Sequence, residues 1–481
     1  MIETVSDARM YFHRNTRPIY FISATNFNLL GIDKWVKNFK YINLIDCFDG
    51  RHPNIYVPSQ GPVPEFESIE DINNYLLQNK EVLDYIGQRK PGLAVFLMFD
   101  KQTEALARQA GLKVAFPRAK LRSRLDDKIE TVRIGNQAGV RSVPNVLGKV
   151  GSYKKLKKIM KKLGRDLVVQ TAYGDSGHTT FFISGKEDWN RHADEIVDAG
   201  EVKVMKRIKC RQAAIEACAT RCGTVVGPLM TEIVGFSELT PYKGGWAGNE
   251  TFPGAFSRKV TEAARDMTFR FGQELWATGY KGYFELDFLV DTETDEVWLG
   301  ELNPRVAGTS ALTTMGAFAF ADMPLFLFHL LEYCGEEFNI DLDRINARWS
   351  KPENVDTWSQ LVLKYTKEEV RRVTAAPKSG IYRLLKDGSV VFDRHDTSRA
   401  NIDDETEGFF MRITGVDDFV YEGADLGILT CEGRMMNKKF QLNARAKKWI
   451  DGLNGFFQTR PLDPFENAPE SALLPGAFKM L

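Results

Sequence analysis

Residues 283–290 and 297–305 place two carboxylates and an amide where they can hold a cation. Both segments alternate in strand fashion, and the six residues between them, 291–296, are turn formers and solvated charges. With the hairpin symmetric about Thr294, Asp287 faces Glu301 and Glu285 faces Asn303, all on one side of the sheet. Facing like charges are unfavourable unless a cation lies between them. Two carboxylates and an amide suit a hard cation such as Mg²⁺, which fills its remaining positions with phosphate and water. Asp287, Glu301 and Asn303 are therefore the candidate metal ligands. Arg305, just past the second strand, is placed to grip a carboxylate or phosphate in bidentate fashion.

A second candidate is the loop Ala172-Tyr173-Gly174-Asp175-Ser176-Gly177-His178-Thr179-Thr180. A Walker A loop runs into a helix through Gly-Lys-Ser/Thr, and this one runs between two strands instead. Glycines and small hydroxyl residues there still let backbone N–H groups approach phosphate closely. The plainer reading is an ordinary hairpin turn with a solvated His178. Residues 241–250, glycine-rich with Tyr242 and Trp246, read equally as a site-lining loop or a packed surface loop. Gly308-Thr309-Ser310 open a helix whose N–H groups are available to an anion. His329, inside an apolar helical run, reads as core.

These groups need a scaffold. Residues 18–116 alternate strands and helices (strands at 19–23, 41–46, 93–99 and 112–116, helices at 30–40 and 101–110), which predicts a small parallel sheet. No G-x-G-x-x-G opens it, so dinucleotide binding has no support. Helices follow at 126–138, 153–163 and 258–278, with strands across 167–183, 202–208 and 211–219. The lysines of 153–163 read as a solvated face rather than a nucleic-acid or membrane patch. The last third is mostly β with a closing helix at 442–457. At 481 residues the chain exceeds one ordinary core. The expected division is 1–118, 119–335 with a mobile lid at about 150–205, and 336–481.

Lys+Arg and Asp+Glu number 64 each, so no surplus draws the molecule to nucleic acid or membrane. Six scattered cysteines lack zinc spacing and read as free thiols of a reducing cytoplasm. The N-terminus lacks signal-peptide regions, and the apolar stretch 315–334 contains Asp322, Pro324 and His329, which makes it a buried helix pair.

Taken together the residues resemble the ATP-grasp superfamily over about 18–335, with an extension to the C-terminus. Glu301-Leu302-Asn303-Pro304-Arg305 is similar to its E-x-N-x-R signature, and Leu286-Asp287-Phe288 to its first metal-binding strand. Asp127-Lys128 resembles the first nucleotide lysine. Lys203-Val204-Met205-Lys206 resembles the hinge that bonds adenine through its backbone, and the third part looks like the β lobe of the biotin-carboxylase-like branch. One position departs: Gln170 stands where the family usually has a second lysine. Either another cation, Lys128 or Lys206, substitutes, or the chain is a degenerate member that binds ATP weakly, and the intact metal hairpin favours the first.

The resemblance implies an α/β ATP-grasp fold with a Rossmann-like N-terminal domain and a C-terminal, mostly β lobe. It implies ATP contacts at Lys128, Gln170, Gly174, Ser176, Gly177, His178, Lys203, Val204, Met205 and Lys206. Two Mg²⁺ ions, or Mn²⁺, would sit on Asp287, Glu301 and Asn303, with Asn303 and Arg305 serving catalysis. The implied reaction is ADP-forming ligation of a carboxylate to an amine, an amino acid's above all, through an acyl phosphate, and the implied assembly is a homodimer. The alternatives are a stand-alone biotin-carboxylase-like subunit and a non-catalytic ATP-binding protein.

Overall fold

A computed structural model describes residues 1–59, 64–89, 91–174, 179–463 and 466–468. Four sheets organise them.

The N-terminal sheet is parallel, in the order Ile55–Tyr56, Phe39–Asn43, Ile19–Ser23, Leu93–Phe96, Lys113–Val114. Ile19–Ser23 is buried throughout, as a strand covered on both faces must be. The helix expected over 30–40 does not form. Two short 3₁₀ turns, Phe27–Leu29 and Ile32–Lys34, take its place, separated by Gly31 at φ 87°, which no right-handed helix contains.

A four-stranded antiparallel sheet follows, in the order Asn145–Lys149, Glu201–Lys206, Leu167–Thr171, Thr180–Ile183. One face carries Val169, Val202 and Val204 and packs under the helix Tyr153–Leu163, whose Leu156 and Ile159 join the same core. Ser152 caps that helix by accepting from Lys155 N, and Gly164 at φ 103° ends it. This small unit, called the lid below, takes in the segment 150–205 together with the strand Asn145–Lys149.

The largest sheet has eleven strands. It starts with Val297–Asn303 and Gly282–Asp291 and continues through Cys210–Thr220, Met230–Val234 and Trp246–Thr251. It then runs on, without a break, through Trp358–Lys364, Asp425–Glu432, Glu407–Arg412, Gly380–Leu384 and Val390–Arg394. The C-terminal β lobe therefore shares its sheet with the second part. The helix Arg258–Ala277 lies on this sheet through Val260, Ala264, Met267, Phe271 and Leu275, the 3–4 spacing of an amphipathic stripe. The stretch 310–334 folds as Ser310–Thr314, Ala317–Ala321 and the buried helix Leu325–Cys334. Among the described residues no single helix is long and apolar enough to cross a membrane.

Candidate active site

The acidic hairpin pairs Glu285 with Asn303 and Asp287 with Glu301, yet its turn end pairs Val290 with Val297, one residue out of that register. A bulge opposite Asp287 absorbs the difference, so Gly300 and Glu301 both oppose it. Only glycine fits there: a Cβ on Gly300 would stand 2.9 Å from the Asp287 carbonyl oxygen. The Asn303 amide nitrogen donates to Glu285 Oε2 at 3.1 Å and to Asp287 Oδ2 at 3.2 Å, so it lies between the carboxylates where a cation would bridge them. Asn303 Oδ1 accepts from Arg305 Nη2 at 2.9 Å, while Arg305 Nε is buried without a partner among the described residues.

Lys128 joins three elements. It begins the helix Lys128–Gln137, which Asp127 caps by accepting from the amides of Ile129 and Glu130. Its own amide donates to Ala172 O at 2.9 Å, pinning the base of the glycine loop. Its ammonium sits 2.8 Å from Glu301 Oε2. Gly174 is at φ 138°, a conformation glycine tolerates, with no room for a Cβ beside Thr179. Ser176, Gly177 and His178 lie outside the described residues.

The hinge expectation needs correction. Lys203, Val204 and Met205 sit in a central strand with ladders on both sides, to Asn145–Lys149 and to Leu167–Thr171, so their backbone groups are taken. Val204 points into the lid core. Lys203 and Met205 share the opposite face, paired across the ladder with Gln170 and Val168. Met205, Val168 and Val143 form a small apolar cluster against Ile208, Leu289 and Trp298, between the lid and the hairpin. Lys203 is fully buried, and its Nζ donates to Gly300 O at 3.2 Å. Lys206 ends the strand with an exposed side chain, so of the lysines in this strand it is Lys203 that reaches the hairpin.

No family model matches the chain, and no curated protein sequence does. Solved structures do. A biotin carboxylase of Campylobacter jejuni in complex with β-γ-ATP matches over 92% of each chain with a TM-score of 0.62 and 12% identity. The biotin carboxylase domain dimer of Hydrogenobacter thermophilus 2-oxoglutarate carboxylase, in complex with MgADP, ADP and bicarbonate, matches over 87% of each chain with a TM-score of 0.59 and 11% identity. An N5-carboxyaminoimidazole ribonucleotide synthetase of Thermotoga maritima matches over 93% of this chain and 100% of its own, with a TM-score of 0.53 and 11% identity. The chain has the ATP-grasp fold.

Within that fold the site is overloaded with acid. Among the described residues Glu216, Glu232, Glu285, Asp287 and Glu301 are answered by Lys128, Lys203 and Arg305. Burial, then repulsion from Glu285, Glu232 and Glu301, pushes the Asp287 carboxyl well above its ordinary value. Burial and Glu216 push Glu285 up to about 8, although Thr309 donates to it. Burial and Glu301 bring Glu232 up to about 7. On the other side burial works to lower Lys128, but Glu301 outweighs it and the ammonium is held above its ordinary value. Burial brings Lys203 down to about 8. A carboxylate surplus with raised affinity for protons is the electrostatic signature of a place that takes a cation. Among the described residues no three Asp, Glu, His or Cys side chains gather as a group that could hold a metal ion, and a hard ion would need the Asn303 carbonyl beside the Asp287 and Glu301 carboxylates.

Two expectations fall away. Thr309 and Ser310 give their hydroxyls to Glu285 and Glu216, so that helix start already has its acids. Trp246–Thr251 is a sheet strand rather than a loop, with the Trp246 indole against Gly308. Sequence reading also missed Glu216 and Glu232. A lone glutamate inside the apolar run Cys210–Thr220 was the available signal for the first.

Proposed function

We propose that the chain is an ATP-dependent ligase that phosphorylates a substrate carboxylate and couples the acyl phosphate to an amine, that of an amino acid above all, with release of ADP and phosphate. The observation that carries this reading is the ordering of the lid's inner face against the hairpin. An apolar pair, Val168 and Met205, stands one step along the ladder from a polar pair, Gln170 and Lys203. The first offers a surface for a purine ring and the second for phosphates, with Lys128 and Ala172, at the base of the glycine loop, beside them.

Asp287, Glu301 and Asn303 would hold magnesium or manganese, which when bound offsets phosphate charge as the γ-phosphoryl transfers. Lys128 keeps Glu301 in place and adds positive charge beside it. Arg305, with its buried Nε free of protein partners among the described residues, receives the substrate carboxylate. A carboxylate oxygen attacks the γ-phosphorus and the bond to the ADP oxygen breaks. The amine then attacks the acyl carbon, phosphate leaves, and the amine gives up a proton. Arg305 also faces the oxyanion formed in that step. A homodimer belongs to the same proposal.

Carboxylation is the second reading, favoured by the likeness to biotin carboxylase that extends through the C-terminal lobe. The test is ADP release with Mg-ATP across pools of amino acids and small carboxylates, with biotin plus bicarbonate as a separate arm. Ligation predicts release only when acid and amine are both present, and a product mass equal to their sum less water. Release that needs biotin and bicarbonate gives the second reading instead. Nucleotide binding with no release in any arm overturns both in favour of a non-catalytic protein.

A further inference from the structure

Lys203 is fully buried, and among the described residues its ammonium donates to one acceptor, the Gly300 carbonyl at 3.2 Å. An ammonium carries three donors, and burying one without an acid of its own is costly. The acid whose field reaches it, Glu301, is already paired with Lys128 at 2.8 Å. Two buried ammoniums thus share one carboxylate, while further carboxylates, Asp287 directly across the ladder from Glu301 and Glu285 beyond it, stand on the same face of the hairpin. Ammoniums short of acid beside carboxylates short of cations suit a ligand that brings both signs, its phosphates toward the lysines and a divalent cation toward the carboxylates.

Position narrows the role. Gln170 is the direct cross-strand partner of Lys203, and Thr180 is the direct partner of Gln170, so the three lie in a row on the lid's inner face. Gln170 Nε2 donates to Thr180 Oγ1 at 3.3 Å. The row crosses the strands Leu167–Thr171 and Thr180–Ile183, which bracket the glycine loop. A glutamine in that row can hydrogen-bond to a phosphate but cannot neutralise it. The neighbouring strand supplies the missing charge within one register pair.

We propose that the Lys203 side chain is the lid's phosphate-binding cation for a nucleoside di- or triphosphate, with Gln170 as its neutral hydrogen-bonding neighbour. This rests on the nucleotide-binding reading above. The competing role is structural: a bolt that holds the Gly300 bulge and touches no ligand.

The experiment compares wild type, Lys203→Gln and the transposed double variant Q170K/K203Q. Calorimetry measures Mg-ADP, saturation-transfer NMR measures adenosine, and thermal melts report the fold. The expected result is that Lys203→Gln weakens Mg-ADP about 10- to 100-fold, the loss of one charged hydrogen bond. Adenosine binding stays within about twofold, since it has no phosphate, and Q170K/K203Q recovers most of the loss by returning the charge to the same row. A lower melting temperature with unchanged Mg-ADP affinity in Lys203→Gln overturns the proposal in favour of the bolt. Equal losses for ADP and adenosine also overturn it. Should Lys203→Gln not fold, the double variant decides: near-wild-type ADP affinity supports the proposal, and loss of ADP with adenosine retained refutes it. A wild type that binds neither ligand removes the nucleotide reading and this one with it, whereas wild-type binding unaltered in Lys203→Gln removes this one alone.

Discussion

The two ends of the long sheet both bury carboxylates, and they treat them in opposite ways. At the C-terminal end Glu407 is fully buried and receives bonds from Arg383, from Arg394 at 2.9 and 3.0 Å, and from the Asp403 amide at 3.0 Å. Arg394 above all holds its carboxyl below the ordinary range, against burial. At the other end Glu285 and Asp287 have an amide, a hydroxyl and one another for neighbours, and both are pushed up. A carboxylate that belongs to the fold is given its cations by the chain. The carboxylates at the acidic end are left short of them, and in the proposed reaction that shortfall is what a ligand fills.

That contrast can be broken at either end. Glu301→Gln, which leaves the backbone and side-chain volume alone, should cut ADP release at least about 10²- to 10³-fold. It should also abolish any rise in melting temperature that Mg²⁺ gives the wild type. Turnover within a few-fold of wild type would sink the metal assignment. Glu407→Gln should do the reverse, lowering unfolding free energy by about 2 kcal/mol in urea titrations while nucleotide affinity stays put. The figure lies below that for a wholly buried pair because the side chains of Arg383 and Arg394 remain 35% and 34% exposed.

Gly300→Ala sharpens the comparison from within the acidic end. Its new methyl group must displace the Asp287 backbone, so a loss of about 1–3 kcal/mol is expected together with weaker Mg²⁺ binding by calorimetry. An unchanged Mg²⁺ affinity would mean that the bulge does not set the spacing of the carboxylates. The smallest effect concerns His329, buried beneath the hairpin, which accepts from Tyr283 N at 3.0 Å and is brought by burial down to about 3. Between its unfolded value of about 6.5 and about 3, the unfolded chain takes up a proton that the folded one refuses. Stability therefore declines as pH falls through that window. In His329→Gln the slope near pH 5 should be reduced by one proton, roughly 1.4 kcal/mol per pH unit. Parallel pH profiles for variant and wild type would show that His329 is not buried neutral.

The facing of Asp287 with Glu301 was legible in the sequence, although for an incomplete reason. Symmetry about Thr294 leads to the right partners only because the turn is centred elsewhere and the Gly300 bulge restores the register. Alternation marks which face a side chain takes, whereas a bulge depends on how closely two backbones approach, here Gly300 and the Asp287 carbonyl. Helices with strong apolar spacing, such as Tyr153–Leu163, were readable end to end. The helix expected over 30–40 was not, because Gly31 turns the chain in a way that composition does not announce. The backbone role given to Lys203 and Met205 failed for a topological reason: a strand's amides are free only at an edge, and pairing on both sides appears only once the sheet is assembled.

The unbroken sheet has a mechanical meaning. At about 4.8 Å per strand its ten consecutive strands span roughly 45 Å, a single beam with the acidic hairpin at one tip and the C-terminal hairpin at the other. Trp246–Thr251 and Trp358–Lys364 meet at mid-span, four register pairs long. Severing the chain between them, within 350–354, would not free two independent pieces. It would expose two raw edges, each the template for the other, and the halves should find one another again when expressed together.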